Sequence, residues 1–301
     1  MHISDIFSAG RPTFSFEFFP PRKASAWDAL FRTMSALDSL RPSFVSVTYG
    51  AGGLTRGRTH DLVVRLKKDT RLDPIPHLTC VGHTENEISE ILTTYAAEGV
   101  GNIMALGGDP PASAAGYDRS GDRFRHAIDL VHFIREFNAR GEHLDPRGFG
   151  IGVAGFPEGH PATPNRVLEL EYLRQKVDAG ADYVCTQLFF DNHDFYDFRE
   201  RCAVAGITVP ILAGLMPIQS AAGYARTPEL ALCSRYPGRL QRKIHAAQSD
   251  EDISKIGMDW TLNQCYDLMA NDVDGIHFYT LNRSPVTIDI FRRLGVSKTE
   301  L

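Results

Sequence analysis

The stretch "FSFEFFPPRK", residues 14–23, has the pattern of a first strand buried in a parallel α/β sheet. Its near-continuous apolar run is typical of a strand covered on both faces, and the two prolines end that run. The turn that follows lacks the G-x-G-x-x-G pattern with which a dinucleotide-binding open sheet begins. The stretch therefore favours a closed barrel over a doubly wound open sheet.

Seven further apolar runs of the same kind follow along the chain, separated by amphipathic helical stretches. We predict eight strands at Phe14–Phe19, Phe44–Tyr49, Pro76–Val81, Asn102–Gly107, Gly150–Phe156, Tyr183–Phe190, Pro210–Met216 and Gly275–Leu281. Eight strands that alternate with helices predict an α/β fold of the (β/α)8 TIM barrel type. Residues 217–274 are predicted to add extra helices between strands 7 and 8, so residues 1–301 form a single catalytic domain in this interpretation.

Two helices carry recognisable start signals. Thr84 with Glu87 three residues later matches a capping box, in which each residue accepts a hydrogen bond from the other's backbone. Thr163 followed by Pro164 is predicted to begin another helix, because proline suits the first helical position.

The bulk composition excludes several classes of protein. The 301 residues carry a formal net charge of -5, which argues against a nucleic-acid binder. Five scattered cysteines without a C-x-x-C pair argue against a disulfide framework or a zinc site, and favour a reducing cytoplasm. There is no apolar run of about 18 residues and no secretory signal pattern at the start. We therefore expect a cytoplasmic protein without a membrane segment.

Polar side chains recur where the predicted strands end. Because the active site of a barrel lies at the carboxyl ends of its strands, these residues are candidates for function. They are Glu17, Thr48, Tyr49, His77, Thr79, Asp109, Glu158, His160, Gln187, Asp191, His277, Tyr279, Asn282 and Arg283.

Each candidate also has a structural explanation. Glu17 could be a structural acid paired with an arginine, because buried charges need partners. Asp109 before a proline could initiate a turn, and Gln187 could satisfy backbone groups. His77 could be a core histidine, and aromatic residues at strand ends are more often core than cofactor contacts.

The motifs of several other chemistries are absent. The sequence has neither an H-E-x-x-H metal motif nor a G-x-x-x-x-G-K-[ST] phosphate loop, and no Ser-His-Asp arrangement stands out, so we expect no metal site. A glutamate among phenylalanines has its charged form disfavoured by desolvation. Glu17 could then keep its proton near neutral pH and act as a general acid beside a planar cofactor.

Seven motifs, in order along the chain, resemble those of the bacterial-type methylenetetrahydrofolate reductases. They are "FSFEFFPPR", "VSVTYGAGG", "PHLTCVGHT", "NIMALGGDPP", "GVAGFPEGHP", "KVDAGADYVCTQLFFD" and "HFYTLNR". The resemblance runs from about Ser15 to Arg283. It implies a barrel that holds FAD and passes hydride from NADH or NADPH to 5,10-methylenetetrahydrofolate in a ping-pong reaction. It also implies a homo-oligomer, either a dimer or a tetramer.

The resemblance assigns roles to individual residues. It makes Glu17 the general acid that protonates folate N10, and it places Asp109 beside the flavin and the pterin. It makes Gln187 a hydrogen-bonding partner of the pterin that also faces the nicotinamide, and Arg283 a folate contact. The positions implied to contact FAD are Thr48, Tyr49, His77, Gly107, Gly108, Asp109, Ala127, Phe156, His160, Glu169 and Lys176.

The chain departs from the family pattern at a few of these positions. Gly107 stands where arginine is common, which removes a charged flavin contact, and Phe156 stands where tyrosine is common. Glu169 replaces an aspartate, and Ala221 lies near the place of an aromatic residue that helps to hold nicotinamide. A folate-binding methyl-transfer barrel without redox chemistry is the alternative, as is a flavin- or folate-binding partner that has lost turnover.

Overall fold

The computed structural model describes residues 1–9, 12–21, 23–49, 56–109, 117–231, 234–282 and 285–295. Eight parallel strands close into a barrel in sequence order, which confirms the predicted (β/α)8 fold. The strands are β1 Thr13–Phe18, β2 Phe44–Val47, β3 Pro74–Thr79, β4 Asn102–Leu106, β5 Gly150–Gly155, β6 Tyr183–Thr186, β7 Ile211–Leu215 and β8 Gly275–Tyr279.

Helices cover the outside of the barrel and close one of its ends. They are α1 Ile3–Phe7, α2 Trp27–Asp38, α3 Arg56–Asp69, α4 Glu85–Ala97, α5 Ala127–Ala139, α6 Arg166–Asp178, α7 Asn192–Val204, α8 Ala221–Leu230, α9 Gly238–Ala246, α10 Asp250–Ala270 and α11 Pro285–Arg293. Helices α8, α9 and α10 lie between β7 and β8, so the extra helices predicted there are confirmed. No helix of the described residues is long and apolar enough to span a bilayer.

Strand β1 shows how the sequence divides its side chains between two environments. Because side chains alternate along a strand, Phe14, Phe16 and Phe18 share one face, and Ser15 and Glu17 share the other. The three phenylalanines belong to the main core cluster, where the rings of Phe14 and Phe16 contact the ring of Phe291 on α11. Each fully buried phenylalanine contributes about 1.5–3 kcal/mol. That burial holds the strand in the register that turns Glu17 toward the interior of the barrel.

Strand β6 is shorter than the sequence predicted. It ends at Thr186 rather than Phe190, because the apolar residues beyond it pack outside the barrel. Leu188 and Phe190 join a separate cluster with residues of α9 and α10. A continuous apolar run does not show which of its residues belong to the sheet, and Gln187 consequently lies just past the end of a barrel strand.

One of the two predicted helix starts is confirmed. Thr84 and Glu87 form the expected capping box. The start at Thr163 is wrong, since α6 begins at Arg166 and Asn165 is its N-cap. The Asn165 side-chain oxygen accepts hydrogen bonds from the backbone N–H groups of Val167 and Leu168.

The short helix α1 closes the amino end of the barrel. Ile3 and Ile6 pack against interior residues of the lower barrel, among them Phe44. The Asn102 side chain ties this helix down, because its oxygen accepts from Ile3 N at 2.7 Å and its nitrogen donates to Met1 O at 2.8 Å. The carboxyl end of the strands is left as the end at which a site can form.

Candidate active site

A cavity inside the barrel surrounds the carboxyl group of Glu17. The space between its lining residues amounts to about 260 Å³, part of which is open to solvent. Its lining residues come from β1, β2, β3, β4, β6 and β8, and are Glu17, Phe44, Ser46, His77, Met104, Tyr183, Cys185, His277 and Tyr279. The inward alternation of these strands therefore brings together polar groups that lie far apart along the chain.

The Glu17 carboxyl lies beside an imidazole. Glu17 Oε2 is 3.6 Å from His77 Nε2, and the two side chains are 17% and 12% exposed. Burial raises the pKa of Glu17 to about 8 and lowers the pKa of His77 to about 4. Both groups are therefore predominantly uncharged at neutral pH. No arginine among the described residues pairs with Glu17, so the structure does not support the alternative of an arginine-paired structural acid.

A second buried histidine, His277, lines the same cavity as this pair. Ser15 Oγ is 2.7 Å from His277 Nδ1, and Ser46 Oγ is 3.5 Å from His277 Nε2. Burial and, to a lesser extent, the nearby His77 lower the pKa of His277 to about 3. The cavity floor is thus hydrogen-bonded and neutral, and it offers no charge that would stabilise an ionised Glu17.

The end of β2 carries Thr48 and Tyr49, two predicted cofactor contacts. The Tyr49 hydroxyl lies 3.0 Å from His83 Nε2, and His83 Nδ1 lies 3.0 Å from Val81 O. Since Nδ1 faces a carbonyl, it carries the proton, and Nε2 accepts from Tyr49. Thr48 N donates to Phe18 O at 2.8 Å. The hydrogen bonds fix Thr48 beside the end of β1 and Tyr49 beside the segment between β3 and α4.

The segment Gly107–Asp109 follows β4 and holds three predicted site residues. Gly108 has φ +73°, and a Cβ there would lie 2.7 Å from Thr79 Cβ, so only glycine fits. Gly107 faces open space instead. The Arg119 guanidinium donates to Gly107 O at 3.0 Å and to Gly108 O at 3.4 Å. An arginine therefore lies beside Gly107 although position 107 itself carries none, while Asp109 is exposed.

The region from the end of β5 through α6 holds four further predicted cofactor contacts. The His160 ring packs edge-on against Phe156 at 4.7 Å between ring centres. Lys176 Nζ donates to Ala154 O at 3.0 Å, and burial lowers the pKa of Lys176 to about 8. Glu169 Oε1 is buried without a hydrogen-bond partner among the described residues, and burial raises the pKa of this carboxyl. Both a cation and an unsatisfied acceptor are available here.

Gln187 lines a second, smaller cavity past the end of β6. Its side-chain oxygen accepts a hydrogen bond from Leu188 N at 2.9 Å, so the amide N–H groups are its remaining donors. The cavity has about 160 Å³ of empty space. It is lined by Phe156, Pro157, Glu158, Gly159, Gln187, Leu188 and Ser234.

A comparison with protein-family models identifies the chain. The model described as methylenetetrahydrofolate reductase matches residues 2–295, almost the whole sequence. The chain belongs to the methylenetetrahydrofolate reductase family.

Relatives with this name occur in bacteria and plants. The chain is 35% identical over 288 residues to the 5,10-methylenetetrahydrofolate reductases of Salmonella typhimurium and Escherichia coli. These matches cover 95% of this chain and 92% of each relative. It is 34% identical to a probable methylenetetrahydrofolate reductase (NADH) of Oryza sativa over 98% of its own length. The chain spans about half the length (50%) of that plant relative.

Solved structures support the fold. A Clostridium thermocellum protein that binds two copies of 5-methyl-5,6,7,8-tetrahydrofolic acid has a TM-score of 0.64 at 12% identity, with 98% of this chain and 99% of that chain covered. Dihydropteroate synthase from Xanthomonas albilineans has a TM-score of 0.51 at 14% identity, with 97% and 95% covered. At such identities the likeness shows the barrel alone.

Within this methylenetetrahydrofolate reductase family member, the predicted site residues divide into groups. Glu17 and His77 share the central cavity, and Gln187 lines the second cavity with Phe156. Ala127 is the first residue of α5, and Arg283 lies outside the described residues. No group of three or more His, Cys, Asp or Glu that could hold a metal occurs in the described part of the chain.

Sequence reasoning missed several residues that shape the site of this methylenetetrahydrofolate reductase family member. Ser15 and Ser46 hold His277, Arg119 holds the Gly107 carbonyl, and Ser234 contacts the segment after Gln187. For Ser15 a signal existed, since it shares the inward face of β1 with Glu17. For Arg119 and Ser234, no periodicity links them to the residues that they contact.

Proposed function

We propose that this protein is an FAD-dependent methylenetetrahydrofolate reductase, which uses NADH or NADPH to convert 5,10-methylenetetrahydrofolate into 5-methyltetrahydrofolate. The observation that carries this proposal is the buried Glu17 carboxyl, which has no cationic partner at neutral pH among the described residues and faces an interior cavity. Family membership supports it, because the bacterial relatives covered almost end to end are named 5,10-methylenetetrahydrofolate reductases.

The residues at the predicted FAD positions fit such a cofactor. Glu169 Oε1, at a predicted FAD position, and Thr79 Oγ1, on a residue that neighbours Gly108, are buried polar atoms without partners in the described residues, and a ligand hydroxyl or ring N–H would satisfy them. Lys176 supplies a donor, and Gly108 lets a ligand approach the backbone closely. FAD, when bound, supplies the two-electron transfer between the nicotinamide and the folate.

Glu17 is the proton donor in this proposal. A carboxylic acid that keeps its proton at neutral pH can protonate N10 of the folate, so that the N10–methylene bond breaks and the five-membered ring opens. The carboxylate left behind lies 3.6 Å from His77 Nε2, an imidazole through which the proton can be restored.

The other chemical residues bind and orient. Asp109, exposed at the end of β4, is proposed to hold the pterin close to the flavin position. Gln187 has its oxygen bound by Leu188 N, and its amide N–H groups, which have no partner among the described residues, are proposed to bind pterin acceptors. Arg283 is proposed to contact the folate, as the family pattern implies.

The two half-reactions, measured separately without oxygen, test the proposal. NADH or NADPH should bleach the bound flavin, and methylenetetrahydrofolate should then restore its absorbance. FAD-supplemented protein that neither nucleotide bleaches would refute the reductase. Folate binding that persists without any bound flavin would instead favour a methyl-transfer barrel.

A further inference from the structure

Two hydrogen bonds connect Ser234 to the side chain of Gln187. Ser234 Oγ donates to Leu188 O at 2.7 Å, and Leu188 N donates to Gln187 Oε1 at 2.9 Å. Leu188 is thus held on its carbonyl side by Ser234, and its N–H side holds the Gln187 amide. All three residues line the same cavity.

Ser234 is itself anchored through the next residue. Glu158 Oε1 accepts a hydrogen bond from Arg235 N at 3.1 Å and lies 3.2 Å from the Arg235 guanidinium. The same guanidinium donates to Asp194 at 2.7 Å. The Glu158 side chain is only 8% exposed, whereas that of Arg235 is 67% exposed. Two mostly buried carboxylates, one from the segment between β5 and α6 and one from α7, therefore hold one arginine of the segment before α9.

We propose that Ser234, anchored by the Glu158–Arg235–Asp194 network, is a positioning residue for Gln187. It fixes the direction from which the Gln187 amide meets the folate. The inference rests on the proposed function, in which Gln187 binds the pterin.

The physical basis is the freedom of a glutamine side chain. Its terminal torsion has a broad energy profile, so an unsupported amide spreads over many orientations. The Leu188 N–H bond selects one of them, provided that the backbone of Leu188 keeps its own orientation. Gly155 O accepts from Gln187 N at 2.8 Å and fixes the start of this segment, but Ser234 alone binds the Leu188 carbonyl in the described hydrogen bonds.

The experiment is a double-mutant cycle on ligand affinity. Calorimetry would measure the Kd of 5-methyltetrahydrofolate for FAD-loaded wild type, Ser234→Ala, Gln187→Ala and the double variant. We expect Ser234→Ala to weaken binding about 3- to 10-fold, the effect of one ordinary hydrogen bond. In the Gln187→Ala background, the same change should have no further effect. Ser234→Thr, which keeps the hydroxyl, should restore the wild-type Kd.

Two further variants complete the design. Arg235→Ala alters a largely exposed side chain and should reproduce part of the loss even if Ser234→Ala folds poorly. Ser39→Ala is the matched control, since Ser39 Oγ also donates to a backbone carbonyl at 2.7 Å, at the end of α2. That variant should bind folate as the wild type does.

The outcomes separate this inference from the proposed function. Equal losses from Ser234→Ala with and without Gln187, or wild-type affinity in both Ser234→Ala and Arg235→Ala, would overturn the positioning role alone. Wild-type protein that binds no folate would overturn the proposed function, and this inference with it.

Discussion

Glu17 Oε2 lies 3.6 Å from His77 Nε2, yet burial moves the two pKa values apart in the direction that leaves both groups uncharged. In an exposed pair of this kind the carboxyl would be ionised at neutral pH, because a carboxyl in water loses its proton well below that pH. Here desolvation dominates, so Glu17 holds a proton that a substrate can take.

Replacement of Glu17 by glutamine should separate the two half-reactions. The Glu17→Gln protein should still be reduced by NADH or NADPH, whereas folate reduction should slow by about 10²–10⁴-fold, the usual contribution of a general acid. Anaerobic stopped-flow absorbance of the flavin measures both rates. The exposed Glu142→Gln serves as the control and should change neither. Equal slowing of both half-reactions in Glu17→Gln would argue against the proton-donor role.

The same substitution should make the protein more stable at high pH. The folded-state pKa of about 8 lies above the unfolded value of 4.5, so the folded wild type binds this proton more tightly. Its stability therefore falls as the pH rises from 4.5 through 8, whereas glutamine does not titrate. At about 1.4 kcal/mol per pKa unit, the difference should reach a few kcal/mol. Melting temperatures of both proteins between pH 5 and 9 provide the check, and a gap that does not widen with pH would contradict it.

Arg119 should matter for cofactor affinity. Its guanidinium holds the carbonyls of Gly107 and Gly108 and brings a positive charge to a predicted flavin contact. We expect Arg119→Ala to raise the Kd of FAD about tenfold, which is the size of effect expected when one hydrogen bond that involves a charged group is lost. Fluorescence titration of the apoprotein with FAD measures this.

Two further variants test whether Arg119 acts on FAD affinity through its local positive charge. Since the Cβ direction of Gly107 is open, Gly107→Arg in the Arg119→Ala background should recover part of the affinity. Arg199→Ala removes an arginine that also donates to two successive carbonyls, those of Asn271 and Asp272, at the turn before β8. Loss of FAD affinity in this control as large as in Arg119→Ala would show that the effect is not local.

The two neighbouring glycines after β4 should respond differently to alanine. Gly108→Ala places a Cβ 2.7 Å from Thr79 Cβ in a left-handed backbone conformation, so we expect a loss of about 1–3 kcal/mol in unfolding free energy. Gly107→Ala meets open space and should be close to neutral. Urea unfolding of the two variants tests the contrast, and equal stabilities would contradict the close packing of Gly108.

The sequence was sufficient for the barrel and for the burial of Glu17. Strand number and the added helices follow from local apolar pattern, which the chain shows plainly. The expectation that Phe16 and Phe18 surround the carboxyl was wrong, because side chains alternate along β1 and these rings face the main core, whereas Glu17 faces the barrel interior. The end of β6 was predicted four residues too late, because Leu188 and Phe190 are apolar for contacts with α9 and α10 rather than with the sheet.

The contacts that set the site could not be predicted in the same way. His77 lies beside Glu17 because β3 and β1 both direct side chains into the interior of one closed barrel. The spacing of the two residues in the sequence does not predict this contact. Arg119 reaches Gly107, and Ser234 reaches Leu188, from segments outside the strands. Such contacts depend on the path of irregular backbone, for which neither period 2 nor period 3.6 gives information.

Helix α1 covers the amino end of the barrel, so in the described part of the chain the interior is left open toward the carboxyl ends of the strands. Ile3 and Ile6 pack into the amino end and Asn102 is hydrogen-bonded to the helix, so a substrate has no path into the barrel at this end. Under the proposed function, nicotinamide and folate must enter and leave by the same mouth. Both substrates would then reach the site from the same side of the molecule, opposite the five-residue helix α1.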